Sequence, residues 1–342
     1  MLYYKDLENK VLHSDVAKKS NKLFVISGYV GAELIKTLGS FPISTQFEVI
    51  YGMYGSDNIS EPLHKKLVEL HNSLPNVSIS YSMVPVHSKI YCWFCDDEVK
   101  GGLIGSANFT ISGLRKDFKE TLCDIKPESM DEYRKYFTYV RNHSISCTDT
   151  RVTLRKHKHV STKADTKDQP YLSDGICRAS LLDNNAKIPL KSGLNWGCSK
   201  GHVAKGDAYI RITIKYIRLF PDLFPQKKYV NGIANEESKG KANRENDEVE
   251  LIWDDGTSMV GLLEGQNIVD GVIYPKQLST SPQKNILGKY LRKRLGNLPL
   301  DYVIRKKDLL KYGRTHIDIS KIGDGIYYLC LLYTSPSPRD YA

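Results

Sequence analysis

Two short polar motifs, each beside a strand-like apolar run, constrain the fold of this chain most strongly. They are His87-Ser-Lys89 and Gly105-Ser106-Ala-Asn108. Side chains two residues apart on a strand point to the same face of a sheet. If Val86–Phe94 and Leu103–Asn108 are neighbouring strands, an imidazole, an ammonium, a hydroxyl and an amide converge on one spot. Such a set suits a phosphodiester, with His as nucleophile and with Lys and Asn holding the phosphoryl oxygens as charge develops.

The two motifs resemble the signature of the phospholipase D superfamily, which is His-x-Lys followed by Gly-Ser-x-Asn. Members of that superfamily attack a phosphodiester with histidine and hydrolyse the phosphohistidine without a metal ion or another cofactor. The resemblance implies that His87 is the nucleophile, that Lys89 and Asn108 hold the phosphate, and that Ser106 supplies a supporting hydroxyl. Glu120 matches the Glu that often orients a histidine in this superfamily. A decayed or coincidental motif is the alternative.

One position departs from the superfamily pattern. The aspartate that usually follows the lysine is replaced here by Phe94, and Asp96 and Asp97 come slightly later. The departure puts a role for an aspartate in doubt, whereas Glu120 remains available.

Strands and amphipathic helices alternate through the first half of the chain. The predicted strands are Leu23–Tyr29, Phe47–Tyr51, Val77–Tyr81 and Thr121–Ile125, with the two motif strands, and the predicted helices are Gly31–Leu38, Glu61–Leu74 and Met130–Arg141. This alternation is typical of α/β layers, and with the resemblance it predicts an α/β sandwich, a phospholipase D-like nuclease domain, over residues 1–148. Small residues at the end of a strand, as at Ser27-Gly28, are where such sheets commonly bind ligands.

The charge of the chain is unevenly distributed. Residues 1–150 hold 17 Lys and Arg against 18 Asp and Glu, whereas the rest holds 32 against 21. A basic excess confined to the second half indicates a polyanionic partner, most simply nucleic acid, with solubility as the alternative. The N-terminus lacks the apolar core of a signal peptide, and no apolar run approaches the length of a membrane span.

The cysteines indicate a reducing compartment. There are seven, an odd number scattered along a large chain, which is typical of reduced thiols in a cytosol. We therefore expect a cytoplasmic location, in a prokaryote if the resemblance holds, and no membrane association. Cys92 and Cys95 lack further ligands at zinc spacing and are interpreted as core packing, so we expect no metal site.

The second half has a different character. Residues 149–169 are polar and basic, which predicts a linker in which His157 and His159 are solvated rather than ligands. Residues 170–332 hold many short candidate strands, which favours an all-β barrel or pseudobarrel. These strands are Ile176–Leu181, Ala208–Ile214, Glu248–Trp253, Ser258–Leu262, Tyr302–Ile304, Thr315–Ile319 and Ile326–Leu332, with a polar loop at Asn231–Asp247. Residues 333–342 fit nothing before them and are interpreted as a non-native tail.

A second resemblance covers most of this half. The matching segments are SGLNWG at Ser192–Gly197, AYIRI at Ala208–Ile212, DLFP at Asp222–Pro225, WDDG at Trp253–Gly256, NILGKYLRKRLG at Asn285–Gly296 and KYGR at Lys311–Arg314. They resemble the C-terminal domain of phospholipase D-type type II restriction endonucleases. That resemblance implies a B3-type pseudobarrel that reads a short duplex sequence through two arms in the major groove.

Two segments are candidates for these arms. Asn195–Lys205 is rich in hydrogen-bond donors, and Lys284–Arg294 concentrates cations that could reach guanine edges and phosphates. The alternative for the second segment is a surface helix anchored by Leu287 and Leu291, with its cations in solvent. Cys198 stands where the family pattern leads us to expect a polar groove-reading residue. The expected DNA-binding residues are Lys191, Asn195, Lys200, His202, Lys205, Lys284, Asn285, Lys289, Arg292, Lys293 and Arg294.

The chain holds one His-x-Lys/Gly-Ser-x-Asn set, whereas superfamily active sites use two that face each other. We therefore expect a homodimer through the N-terminal domains, with one histidine attacking phosphorus and the other protonating the leaving oxygen. The predicted function is a type II restriction endonuclease, a metal-independent and sequence-specific enzyme acting on double-stranded DNA. The alternatives are a non-specific phospholipase D-like nuclease or phosphodiesterase, a phospholipid hydrolase, and a DNA-binding protein with an inert nuclease half. Whether a cognate DNA methyltransferase accompanies the chain stays open at this point.

Overall fold

The computed structural model describes residues 1–96, 98–155, 175–199, 201, 203–227 and 247–331. Asp97, His157, His159, most of the predicted polar loop and the tail lie outside these residues. The chain divides into two compact units, which are Met1–His157 with Ile322–Ile326, and Lys158–Lys321 with Tyr327–Ala342.

The first unit is built on an eight-stranded mixed sheet. Its strands are β1 (Leu2–Tyr3), β2 (Lys22–Ser27), β3 (Gln46–Tyr51), β4 (Val77–Ser82), β5 (Lys89–Cys95), β6 (Glu98–Gly105), β7 (Leu122–Asp124) and β8 (Ser144–Ser146). The order across the sheet is β1-β7-β6-β5-β2-β3-β4-β8. Strands β2, β3 and β4 are parallel, and β5 runs antiparallel to β2. Strand β2 is almost wholly buried, as a continuous apolar run predicts for the centre of such a sheet.

Helices and one short strand pair complete this unit. The helices are α1 (Leu7–Leu12), α2 (Asp15–Lys18), α3 (Ala32–Leu38), α4 (Tyr54–Asp57), α5 (Glu61–Ser73), α6 (Ile111–Leu114) and α7 (Met130–Asn142), with a 3₁₀ turn at Pro127–Ser129. Helix α5 buries Leu63, Leu67 and Leu70, the stripe that its helical spacing predicts. Leu154–Arg155, within the stretch predicted to be a linker, pairs in parallel with Ile59–Ser60.

The ends of the two motif strands differ from the prediction, and the second strand begins earlier, at Glu98 rather than Leu103. Strand β5 begins at Lys89 rather than Val86, and β6 ends at Gly105 rather than Asn108. The residues before β5 do not extend the strand, because the Val86 amide donates instead to the carbonyl of Gly52, the residue after β3, at 3.0 Å. His87 therefore precedes its strand, while Ser106 and Asn108 follow theirs.

The second unit is built on a seven-stranded sheet. Its strands are β9 (Ile176–Ser180), β10 (Ile210–Arg211), β11 (Asp247–Trp253), β12 (Ser258–Glu264), β13 (Gln277–Thr280), β14 (His316–Gly323) and β15 (Ile326–Cys330). The order is β9-β14-β15-β11-β12-β13-β10. The edge strands β9 and β10 approach each other, so the sheet nearly closes into a barrel, as expected of a pseudobarrel. Its core includes Trp253, Phe224 and Leu251, all buried.

Some predicted strands of this unit were wrong. Only Ile210–Arg211 of the stretch predicted at 208–214 is strand, because Thr213 accepts from the Tyr216 amide and starts helix α8 (Ile214–Leu219). Tyr302–Ile304 is irregular, and β13 was missed. The remaining elements are helices α9 (Asn285–Arg294) and α10 (Lys306–Tyr312), a 3₁₀ segment at Gly193–Cys198, and a hairpin of Asn267–Val269 with Val272–Tyr274.

Candidate active site and DNA-binding surface

Gly28, directly after β2, lies where three of the motif side chains meet. A Cβ atom at this position would lie 3.1 Å from His87 Cδ2, 3.3 Å from Lys89 Nζ and 3.4 Å from Asn108 Oδ1. The backbone here is held by the Met53 amide, which donates to the Gly28 carbonyl at 3.0 Å. An imidazole, an ammonium and an amide therefore converge on the position that a side chain at residue 28 would take.

Asn108 is oriented by the segment after β2. The Tyr29 amide donates to Asn108 Oδ1 at 3.1 Å, and Ser27 Oγ lies 3.4 Å from the same oxygen. Ser27, which is fully buried, donates to the Tyr29 carbonyl at 2.6 Å and accepts from the Phe109 amide at 2.8 Å. Because the side-chain oxygen of Asn108 is used in this way, its NH₂ group remains the part of the side chain that can donate to a ligand.

Lys89 is the cation of the site, and it is almost wholly buried, with 5% of its surface exposed. Its Nζ atom donates to the His87 carbonyl at 2.5 Å, which ties the lysine to the motif itself. Burial lowers the pKa of the Lys89 ammonium, and the nearby Glu120 carboxylate opposes that shift. A partly desolvated ammonium interacts more strongly with a phosphoryl oxygen than one in bulk water.

Ser106 and Glu120 lie at the β6 side of the site. Ser106 is exposed, and its Oγ accepts from the Thr121 amide at 3.0 Å, which connects the residue after β6 to the residue before β7. Glu120 is half-exposed and acts electrostatically on Lys89 and on the buried Tyr91, whose pKa is raised chiefly by burial. The loop that carries Glu120 is thereby held beside the motif.

Asp96, the described aspartate that follows the first motif, is not at the site. Phe94 is buried and packs edge-on against Phe24, with ring centroids 5.1 Å apart. Asp96 follows the far end of β5 from Lys89, where its carboxylate accepts from Asn21 Nδ2 at 3.1 Å. Since a strand rises about 3.3 Å per residue, Asp96 is separated from the site by the length of β5.

Tyr29 and Asp57 also belong to this site, although the motifs gave no sign of them. The Tyr29 ring packs edge-on to His87 with ring centroids 6.2 Å apart, and its hydroxyl donates to Asp57 Oδ2 at 2.8 Å. Burial and the Asp57 carboxylate raise the pKa of Tyr29, while Arg155 lowers it. The only feature of the sequence that pointed to this part of the site was the pair of small residues Ser27-Gly28 at the end of a strand, directly before Tyr29.

The two predicted recognition arms pack against each other in the second unit. A Cβ atom on Gly288 of α9 would lie 1.7 Å from the Gly206 carbonyl oxygen, so the helix contacts the backbone after the first arm directly. The Ala208 amide donates to the Lys284 carbonyl at 3.4 Å. Lys284 lies over the Trp196 ring, 4.7 Å from its centroid, and also pairs with Glu264 at 2.8 Å.

Three residues expected to read DNA have structural contacts instead. Asn195 is fully buried, where its amide donates to the Pro189 and Ile304 carbonyls and accepts from the Ile304 amide. Arg292 is 1% exposed and donates to the Leu194 and Tyr302 carbonyls. Arg294 pairs with the buried Asp254 at 2.8 Å. These contacts argue against the DNA roles expected for them, because each side chain already satisfies buried polar groups.

The other expected DNA-binding residues fall into three groups. Lys191, Lys205, Lys289 and Lys293 are exposed. Asn285 and Lys284 are half-buried, and the side-chain oxygen of Asn285 has no hydrogen-bond partner. Lys200 and His202 lie outside the described residues.

The described ranges hold neither a cluster of metal-ligating side chains nor a helix that could cross a membrane. No group of three or more His, Cys, Asp or Glu side chains there could hold a metal ion. Every helix in the same part of the chain is too short or too polar to cross a bilayer.

The mixed sheet with its imidazole, ammonium and amide defines a phosphodiesterase-type domain, and a β-barrel domain follows it. Residues 5–154 match the model of the NgoFVII restriction endonuclease N-terminal phospholipase D domain. Residues 175–323 match the model of the NgoFVII C-terminal B3-like DNA-binding domain. The two models describe one family and together match most of the chain, so this chain belongs to the NgoFVII family of restriction endonucleases. It is thus a site-specific deoxyribonuclease with a DNA-binding domain.

More distant similarities each cover less than half of the chain. NucT from Helicobacter pylori is 13% identical and covers 43% of this chain and 97% of its own, with a TM-score of 0.33. Nuc from Salmonella typhimurium, a phospholipase D family member, is 12% identical and covers 41% of this chain and 89% of its own, with a TM-score of 0.29. No curated protein sequence matches this chain.

Proposed function

We propose that this chain cleaves double-stranded DNA by a metal-independent reaction that passes through a phosphohistidine on His87. The observation that carries the proposal is the convergence of His87, Lys89 and Asn108 above Gly28. A tetrahedral phosphoryl group needs a nucleophile on one side and donors for its non-bridging oxygens on the others, and this set supplies both.

The reaction has two displacements. In the first, a ring nitrogen of His87 attacks phosphorus, a P–N bond forms, and the P–O bond to one DNA fragment breaks. A second, protonated histidine gives its proton to the departing oxygen. Water then attacks the same phosphorus and gives a proton to that second histidine while the P–N bond breaks. Both histidines return to their starting states, and one water molecule has been consumed.

The second histidine comes from a second copy of the chain. One His-x-Lys/Gly-Ser-x-Asn set is present per chain, so a complete pair needs two chains that associate through their first domains. A two-fold axis at the site would place the same histidine on both sides of one phosphate. Exposure of the His87 side chain supports this arrangement, because the imidazole is free to face a partner.

Sequence recognition belongs to the second domain. Four exposed lysines of the two arms and their surroundings are the proposed DNA contacts, namely Lys191, Lys205, Lys289 and Lys293. Asn195, Arg292 and Arg294 are excluded from the proposed set because they stabilise the barrel. A restriction enzyme must spare the DNA of its own cell, so we also propose a cognate DNA methyltransferase as a functional companion.

The first test is digestion of a long, unmethylated DNA by the purified chain in excess EDTA. Discrete bands are expected from the wild-type chain, and none from the His87→Ala variant, which should still bind DNA. The alternatives give different results: a smear would indicate a non-specific nuclease, and binding without cutting would indicate an inert nuclease half. Loss of cutting in EDTA with recovery on adding Mg²⁺ would refute metal independence.

Two further measurements test the intermediate and the composite site. End-labelled DNA quenched during turnover in alkaline denaturant should leave label on the wild-type protein and none on His87→Ala, since phosphoramidates survive base better than acid. Mixing wild type with excess His87→Ala should lower activity toward zero if each site needs two histidines. Activity that falls only in proportion to dilution would contradict the composite site.

A further inference from the structure

The residues of the site that the motifs do not explain are Tyr29 and Asp57. Tyr29 follows Gly28, above which the three motif groups meet, and is half-buried. Its backbone amide donates to Asn108 Oδ1 at 3.1 Å, and its ring packs edge-on to the His87 ring. One residue thus contacts two of these three groups, through two different parts of its structure.

The Tyr29 side chain is itself fixed. Its hydroxyl donates to Asp57 Oδ2 at 2.8 Å, and Asp57 ends helix α4, where its amide donates to the Met53 carbonyl at 2.9 Å. On the other side, the Tyr29 ring packs edge-on to buried Tyr51, with ring centroids 6.0 Å apart. A hydrogen bond to a charged acceptor is about twice as strong as a neutral one. The ring is therefore held by two contacts, the hydrogen bond from its hydroxyl to Asp57 and the packing of its edge against Tyr51.

The His87 side chain has much less support. It is exposed, and it precedes β5, so no strand pairing holds its own backbone in the sheet. A nucleophile gains most when its attacking atom is held within a narrow range of positions. The neighbouring ring, whose plane is tilted 81° from the imidazole plane, restricts rotation of the imidazole away from its position above Gly28.

We propose that Tyr29 is a positioning residue for the nucleophile His87, and that Asp57 in turn positions Tyr29. The inference rests on the proposed function of His87 and adds to it a part of the protein that lies far from both motifs in sequence. The ring of Tyr29 is the feature that acts on the imidazole, while its hydroxyl acts only by anchoring the ring to Asp57.

The proposal distinguishes two substitutions at one position. Tyr29→Phe keeps the ring against His87 and against Tyr51 but removes the Asp57 hydrogen bond, whereas Tyr29→Leu removes the ring. We expect Tyr29→Leu to lower the single-turnover cleavage rate roughly 10-fold to 100-fold, the effect of misplacing a reacting group. Tyr29→Phe should restore most of that rate, and the DNA dissociation constant should stay unchanged in both variants.

A matched control exists in the same domain. Tyr139 on helix α7 also packs against a histidine, His143, with ring centroids 4.3 Å apart, but it is 52% exposed and belongs to another part of the fold. Tyr139→Leu removes a tyrosine from an equivalent pair without touching the site. It should leave the cleavage rate unchanged, so a slower rate in Tyr29→Leu is not a general effect of removing a tyrosine beside a histidine.

A readout independent of cleavage keeps this inference separate from the proposed function. The carbon-bound imidazole protons of His87, assigned by their absence in His87→Ala, should shift in the NMR spectrum when the Tyr29 ring is removed, and should stay near the wild-type position in Tyr29→Phe. Unchanged resonances in Tyr29→Leu would overturn the contact even if DNA is cut. A shift with no reduction of the cleavage rate would overturn the positioning role. A wild-type chain that does not cut DNA would overturn the proposed function, while the NMR shift would still test the contact.

Discussion

Replacing Gly28 by alanine tests whether the space between the three motif groups is the phosphate position. The added methyl carbon would lie 3.1 to 3.4 Å from His87 Cδ2, Lys89 Nζ and Asn108 Oδ1. The contacts to His87 Cδ2 and Lys89 Nζ are tighter than a methyl carbon usually makes, so the imidazole and the ammonium must shift by a few tenths of an ångström. The methyl group would also occupy the space that a non-bridging phosphate oxygen needs.

The expected effect is large on the rate and small on folding. A displacement of about 1 Å between the phosphate and its attacking group can cost about 100-fold in rate, which is close to 2.7 kcal/mol of activation free energy. The free energy of unfolding should change by only about 1 kcal/mol. Crowding of the three side chains destabilises the folded state, but alanine also lowers the entropy of the unfolded chain, and the two effects partly cancel. Single-turnover cleavage of a short duplex and thermal unfolding measure the two effects separately.

Gly101→Ala is the matched control. A Cβ atom there would lie 3.1 Å from Val16 Cγ1, as tight a contact as at Gly28, but on strand β6 among groups that take no part in the proposed chemistry. We expect this variant to cut at the wild-type rate with a comparable change in stability. The reasoning at Gly28 is refuted if Gly28→Ala, correctly folded, cuts within twofold of wild type, because the space would then not hold the phosphate.

Three further predictions concern the cation of the site, the buried asparagine and the exposed lysines. Burial lowers the pKa of Lys89, so the cleavage rate should fall at alkaline pH, starting below the ordinary lysine range. In a pH–rate profile, Lys89→Arg should move this fall to higher pH and lower the maximum rate. Asn195→Ala leaves buried backbone groups unpaired and should destabilise the second domain by about 1–3 kcal/mol in denaturant unfolding. Replacing Lys289 and Lys293 by Gln should weaken DNA binding. It should also reduce the slope of log K for binding against log salt concentration by about 1 for each phosphate that is no longer neutralised. Lys126→Gln, an exposed lysine of the first domain, should change neither the affinity nor this slope.

The sequence predicted the motif side of the site because its residues lie close together in the chain. His87 and Lys89 flank the start of one strand, and Ser106 and Asn108 follow the next strand, so a single hairpin brings them together. The prediction failed on the strand ends, because the hydrogen bonds that end a strand come from distant segments. It could not include Tyr29 or Asp57, since Tyr29 follows β2 and Asp57 ends helix α4, and the order of the strands in the sheet is not their order in the chain.

The second domain shows a different limit of sequence reasoning. Asn195 and Arg292 are polar residues in segments rich in donors, and composition alone favours an exposed, DNA-reading role for such residues. In the fold, Asn195 forms hydrogen bonds with the backbone of Ile304, and Arg292 donates to the carbonyl of Tyr302. These backbone groups belong to a segment that was predicted to be a strand. The wrong strand prediction at Tyr302–Ile304 and the unexpected burial of Asn195 and Arg292 have one cause. A strand would have paired its own backbone groups and left no need for buried side-chain partners.

The charge distribution gives the two domains different contributions to cutting. The first 150 residues have no excess of positive charge, and the cation at the site, Lys89, is almost wholly buried. Long-range attraction to DNA, which grows with the number of phosphates neutralised, must therefore come mainly from the second half of the chain. A catalytic domain with little affinity of its own for DNA remains on a duplex only where the recognition domain holds it. In such an enzyme, weak attraction at the catalytic domain favours specific cutting, because unrecognised sites are released before the slower chemical step.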